Sequence, residues 1–159
     1  MNISLNLEIG SLHCAFKHLC SAYEVIFEII EKLIREKRLD TVLVLLKART
    51  VTSIIIHDLL DVIKGRNTSD TQDIIMAIID TIRKIRGTLC NTLYGLECSR
   101  ATEVEFIKAI GMLYNAELHL GDYLMELLAM KVKEYARANK STLERRKEEE
   151  KASEASAKE

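Results

Sequence analysis

No proline occurs anywhere in the 159 residues. An average chain carries about 5% proline, a residue that breaks helices and shapes turns. Its absence disfavours turn-rich β folds and favours long uninterrupted helices, with only six glycines left as punctuation. The length falls within the usual single-domain range of roughly 100–200 residues, enough for one core.

Apolar residues then mark out four helical segments. Leu12, Phe16, Leu19, Tyr23, Ile26, Ile30 and Leu33 are spaced 4-3-4-3-4-3, a heptad seam for a first helix over 11–38. Asp40 is placed to cap a second helix with the inward line Leu45, Ala48, Thr52, Ile55, Leu59, Val62, ending at Lys64-Gly65. Ser69-Asp-Thr-Gln72 has capping-box form and opens a third helix near Asp70, with the seam Ile75, Ile78, Ile82, Ile85, Leu89. Gly87 marks a bend in it and Gly95 its end. Thr102-Glu-Val-Glu105 is a second capping box. It opens a last helix reaching Asn139, longer than the second by roughly three turns. Its strict 4-3 line runs through Ile107, Gly111, Tyr114, Leu118, Gly121, Met125, Leu128, Val132 and Tyr135, and its glycines permit close approach of a neighbouring backbone. Short connections between amphipathic helices predict an all-α, antiparallel up-down-up-down four-helix bundle over residues 1–139.

Two ends stand outside that pattern. Residues 2–9 alternate, with Ile3, Leu5, Leu7 and Ile9 on one side, which predicts a short extended N-terminal arm without an internal strand partner. The last 20 residues hold only four of the 76 apolar residues and 12 of the 47 charged ones, and read as a disordered or solvated tail.

Net charge near −1 supplies no global drive toward nucleic acid or an anionic membrane. The start lacks a basic, apolar leader, and charges interrupt every apolar run before the roughly 18 residues of a membrane span. The expectation is a cytoplasmic protein without membrane contact, its four cysteines buried as reduced thiols. Eighteen isoleucines and a single glutamine lean toward a thermophile, which leaves a Cys90–Cys98 disulfide across the Gly95 turn open.

Three groups of residues carry candidate chemistry. The first is Ile54-Ile-Ile-His57-Asp58, which resembles the metal-binding dipeptide of the HD-domain phosphohydrolases, themselves all-helical. The resemblance implies that His18, His57, Asp58 and Asp122 hold one divalent metal, which acidifies water for attack on a phosphate. On the same helix, Arg49 and His57 resemble the Arg/His pair of HEPN ribonucleases at a longer spacing, and Ser53, His57 and Asp61 share a face. Cys14 and His18 stand at a spacing that can chelate zinc. A second group is basic. Arg35, Arg38, Arg49, Arg83, Lys84 and Arg86 collect at one end of the bundle, interleaved with acids, and could dock a phosphate backbone. Glu117 interrupts the apolar file Ile110, Leu113, Leu120, Leu124 and calls for a salt bridge or a subunit interface.

The third group is apolar. A strand without a partner, and Met125, Leu128, Val132 and Tyr135 beyond the reach of a short bundle, offer surface to another chain. No catalytic constellation assembles from spacing alone. The preferred reading is therefore a non-catalytic helical subunit of a homo- or hetero-oligomer, without cofactor or small-molecule substrate. An accessory nucleic-acid-binding subunit and a metal-dependent phosphohydrolase are the alternatives.

Overall fold

The computed structural model describes residues 2–65 and 71–156, the first eight and last six of these by backbone alone. They form α1 (Asn2–Arg35), α2 (Leu39–Ile63), α3 (Thr71–Tyr94) and α4 (Arg100–Ser156), an all-α four-helix bundle with no strand among the described residues. Contacts divide the chain into a compact unit, Met1–Leu124, and a second unit, Met125–Glu159. The bundle core lies in the first. In the second, residues 131–150 are helical and exposed.

Residues 2–9 belong to α1 and are not an extended arm. A lone strand would leave its N–H and C=O groups unpaired, whereas a helix satisfies them within the segment. The side chains of Ile3, Leu5, Leu7 and Ile9 lie outside the described residues. At the other end α4 runs on past Asn139 to Ser156, so the charged stretch is a solvated helix rather than a disordered tail. Ala, Glu, Lys and Arg are strong helix formers that need no core, and Lys140 stands 3.9 Å from Glu144 one turn on.

The core is built from one inward row per helix. In α2 it is Leu45, Ala48, Thr52, Ile55 and Leu59 of the expected line, joined by Val42 while Val62 is only half-buried, and in α3 Ile75, Ile78, Ile82, Ile85 and Leu89, as the spacing predicts, with Ile79 buried beside them. Buried Thr52 gives its hydroxyl proton to the Ala48 carbonyl at 2.8 Å, which removes the cost of placing it there. In α1 the deepest row is Leu12, Ala15, Leu19, Ala22, Ile26, Ile29 and Leu33. Alanines occupy places expected for Phe16 and Tyr23, which are half-buried. Ala109 and Ala116 are likewise buried on α4, so both helices turn small residues inward and their backbones can approach.

The expected seam of α4 is not its core face. The buried row is Phe106, Ala109, Leu113, Ala116, Leu120 and Tyr123, while Ile107, Tyr114 and Leu118 of the expected line are exposed. Two of that line's members are glycines with no side chain to bury. The row led by Phe106 removes more apolar area from water.

Local chemistry at the helix ends also differs in detail. α1 stops at Arg35. The Arg38 N–H reaches the Leu33 carbonyl at 2.9 Å and the Lys37 N–H the Ile34 carbonyl at 3.1 Å, a Schellman-type end with Lys37 left-handed at φ 60°. Arg38 rather than Asp40 precedes α2, and Asp40 instead sits in the first turn, where its charge favours the helix dipole. Gly65 supplies the left-handed stop after α2 at φ 65°. The Ser69 cap lies outside the described residues. Gly87 falls within unbroken α3, which ends one residue before Gly95. The cap of α4 is Ser99, whose Oγ accepts the Thr102 N–H at 3.3 Å, one turn earlier than the Thr102 box predicts.

The two left-handed positions predict opposite responses. Lys37→Gly relieves the Cβ clash and raises stability by about 0.5–1 kcal/mol, whereas Gly65→Ala introduces the same clash and costs about 1 kcal/mol. Urea unfolding midpoints of the two variants against the parent chain check this.

Candidate interaction surface

α4 carries its exposed apolar residues on the side away from the core. At about 100° per residue, the row through Ile107, Tyr114 and Leu118 lies about 180° from Ala109 and Ala116 and about 120° from the row through Phe106, Leu113 and Leu120. Ile107, Tyr114 and Leu118 are 56%, 48% and 48% exposed, so large side chains stand in water along the length of this face. Between them sit Gly111 and Gly121, where an added Cβ would meet nothing within 4 Å. Further on, in the second unit, the expected interaction residues Met125, Leu128, Val132 and Tyr135 are exposed as well.

A second apolar face escaped the spacing argument. Leu39, Leu43 and Leu46 on α2 and Phe27 and Ile34 on α1 are all more than 40% exposed. The signal was present: α2 is apolar nearly all round, and a helix can turn only one stripe to a core. Beside it the Arg49 guanidinium stacks 3.9 Å from the Tyr23 ring and 4.7 Å from Phe27. The rings offer its charge a π-face, while its Nε–H has no acceptor.

Carboxylates at the core edges tie α4 to its neighbours. Glu117, only 12% exposed, stands 2.6 Å from Arg83 Nε and 2.7 Å from Arg86 Nη1, so the charge in the apolar file is neutralised by α3. Arg86 also lies 5.1 Å from the Tyr114 ring, at the edge of the exposed row. Toward α1, Glu105 Oε1 meets Lys32 at 3.3 Å and Lys108 at 3.2 Å. Burial pushes the Glu105 carboxyl up, but the two ammonium groups outweigh it and hold it below the usual range. Glu36 Oε1 accepts the hydroxyls of Ser99 and Thr102, each at 2.8 Å, and those bonds lower its pKa. This joins the end of α1 to the start of α4, and Arg38 adds a bond to the Glu97 carbonyl at 2.9 Å.

The basic residues expected to meet phosphate are all engaged inside the chain. Arg38, Arg49, Arg83 and Arg86 have the partners just described, Lys84 pairs with Asp80 at 2.7 Å, and Arg35 stands 4.0 Å from Glu31. The metal candidates are dispersed. His57, Asp58 and Asp122 are exposed, and among the described residues no group of three or more His, Cys, Asp or Glu is arranged to hold a metal ion. His18 instead stacks on His119 of α4, ring centroids 5.5 Å apart, a pairing that no spacing rule reveals because 100 residues separate the two. All four cysteines are free thiols. Cys14 and Cys90 are exposed and Cys20 and Cys98 half-buried, so neither the Cys90–Cys98 bond nor full burial is present. A cleft of about 570 Å³ lies where α3 gives way to α4 and is lined by Cys90, Tyr94, Cys98 and Glu103.

Two outcomes follow from these contacts. Glu117→Gln leaves Arg86, mostly buried, without its counter-charge and costs about 1–3 kcal/mol, read from urea midpoints, while Arg83 returns to water at little cost. Burial, and then the neighbouring His119 charge, lower the His18 pKa from 6.5, so the unfolded chain binds that proton more readily than the folded one. The stability this withholds is intact above 6.5 and is lost as pH falls through the lowered folded value. The urea midpoint should therefore drop between about pH 7.5 and about pH 5.5, and drop less in His18→Gln. Glu36 and Glu105 act in a separate window below 4.5, their ordinary value. Comparison with protein-family models, curated proteins and solved structures returns no match, so the chain's own residues carry the functional argument.

Proposed function

We propose that this chain is a non-catalytic helical interaction subunit that docks through the outer face of α4. One observation carries the reading: the 4-3 apolar line of α4 points away from the bundle it was expected to seal. An amphipathic helix face with large residues at heptad spacing is what a partner helix packs against. Exposed, it remains in contact with water at roughly 25 cal/mol for each Å² of apolar surface a partner would cover. The internal pairing of the basic candidates favours this reading over a phosphate-binding one most clearly at Arg83 and Arg86, which would have to leave Glu117, itself only 12% exposed, to meet nucleic acid. The dispersed metal candidates favour it over phosphohydrolysis. No helix among the described residues is long and apolar enough to cross a membrane.

The test is the size of the particle that the untagged chain occupies in extract from cells that make it. The chain should run well above its 18.1 kDa monomer mass. Ile107→Glu combined with Leu118→Glu should return it to that mass, with an unchanged thermal midpoint because both residues face away from the core. A double variant that keeps its place in the larger particle overturns the assignment of this face.

A further inference from the structure

Resting on that reading, we infer that the occupant of the α4 face is a second copy of this chain, docked antiparallel about a two-fold axis beside residue 116. The argument is one of complementarity. With the exposed row as the seam, Lys108, Asn115 and Asp122 flank it on the side toward α1, and Ile110, Glu117 and Leu124 flank it on the side toward α3. In an antiparallel pair like flanks meet, so only the register decides which residues face each other. Centring the axis on residue 116 places Lys108 beside Asp122 of the other copy, twice by symmetry. The same register puts Asn115 beside its own counterpart, where two amides can exchange hydrogen bonds, and Ile110 beside Leu124. Lys108 is 52% exposed in its side chain and Asp122 is exposed, so Lys108 can keep its bond to Glu105 at 3.2 Å and offer another of its three N–H donors to Asp122.

The seam itself agrees. That register sets Tyr114 against Leu118 of the second copy in two central layers, and Gly111 against Gly121 in the layers on either side. Glycine facing glycine lets the backbones close, so the central tyrosines and leucines interdigitate rather than hold the helices apart. Sliding one copy by a heptad in either direction removes the Lys108–Asp122 pairs and sets each glycine against a larger residue. A parallel pair also faces glycine with glycine and sets Glu103 beside Lys108, but it places Glu117 beside Asp122, two acids, at both edges and leaves Ile110 against Asn115. In the antiparallel register Glu117 meets its own copy, but each is already held between Arg83 and Arg86, so the carboxylates bring their counter-charges with them.

Sedimentation equilibrium of the full chain tests this. The parent should be a dimer, and Leu118→Glu should weaken it more than about 100-fold by setting two carboxylates in the seam, with helicity by circular dichroism unchanged. Asp122→Lys turns two attractions into repulsions and should weaken the dimer about tenfold. Adding Lys108→Gln to it removes both repulsions, while the Gln amide can still donate to Glu105, and should recover part of the loss. The pairing is overturned if the purified parent is a monomer at about 100 μM, if the dimer survives Leu118→Glu, or if Lys108→Gln recovers none of the Asp122→Lys loss. A purified monomer that still occupies a large particle in extract refutes self-pairing and leaves the interaction function standing. A dimer broken by Leu43→Glu but not by Leu118→Glu moves the contact to the α1/α2 face.

Discussion

A helix in a four-helix bundle turns one stripe to the core, and α4 carries apolar residues on two. Whichever stripe goes inward, the other is left to water or to another molecule. The inward place goes to the row of Phe106, Leu113 and Leu120, joined by Ala109 and Ala116, because it has side chains at every turn. The row with two glycines is left outside. The character of the surface, and the functional argument built on it, follow from that competition.

The charged residues are organised around the same helix. Glu105 and Glu117 sit at the two edges of the buried row, one toward α1 and one toward α3, and each collects two basic partners. Glu36 reaches from α1 to the two hydroxyls that open α4. The carboxylates thereby fix α4 laterally and at its start, which a greasy row with small residues would leave free to rotate. They also occupy Arg83 and Arg86, two of the cations that made one end of the molecule look basic.

Much of the fold was legible because helix periodicity is local. The inward rows of α2 and α3 fell close to where the spacing placed them: α3 has one dominant apolar row, and in α2, though it is apolar nearly all round, the 4-3 line still marks the stripe that goes inward. Glu117 also announced its salt bridge, because a carboxylate in an apolar file has few other solutions. What was not legible depended on competition or distance. Residues 2–9 alternate with period two, but alternation carries no weight without a strand to pair with. Ser99 rather than Thr102 caps α4, and the Thr102 hydroxyl is held instead by Glu36, over 60 residues away. The last stretch was judged by its inability to build a core, a test that an isolated charged helix does not have to meet. The His18–His119 stack and the choice between the two rows of α4 are products of packing, and no window along the chain contains them.

Gly111 and Gly121 have a consequence for how this chain can change over evolutionary time. Each sits within a helix where alanine would be favoured by about 1 kcal/mol, and neither is obliged by a left-handed backbone or a crowded neighbour in the folded chain. A methyl group at either position would therefore make the isolated bundle sturdier. The same methyl group would thicken the outer seam and hold any docked backbone further off. Folding and any docking on this face would thus pull in opposite directions at these two sites, and a mutational path toward greater thermal resistance through them would run against such docking.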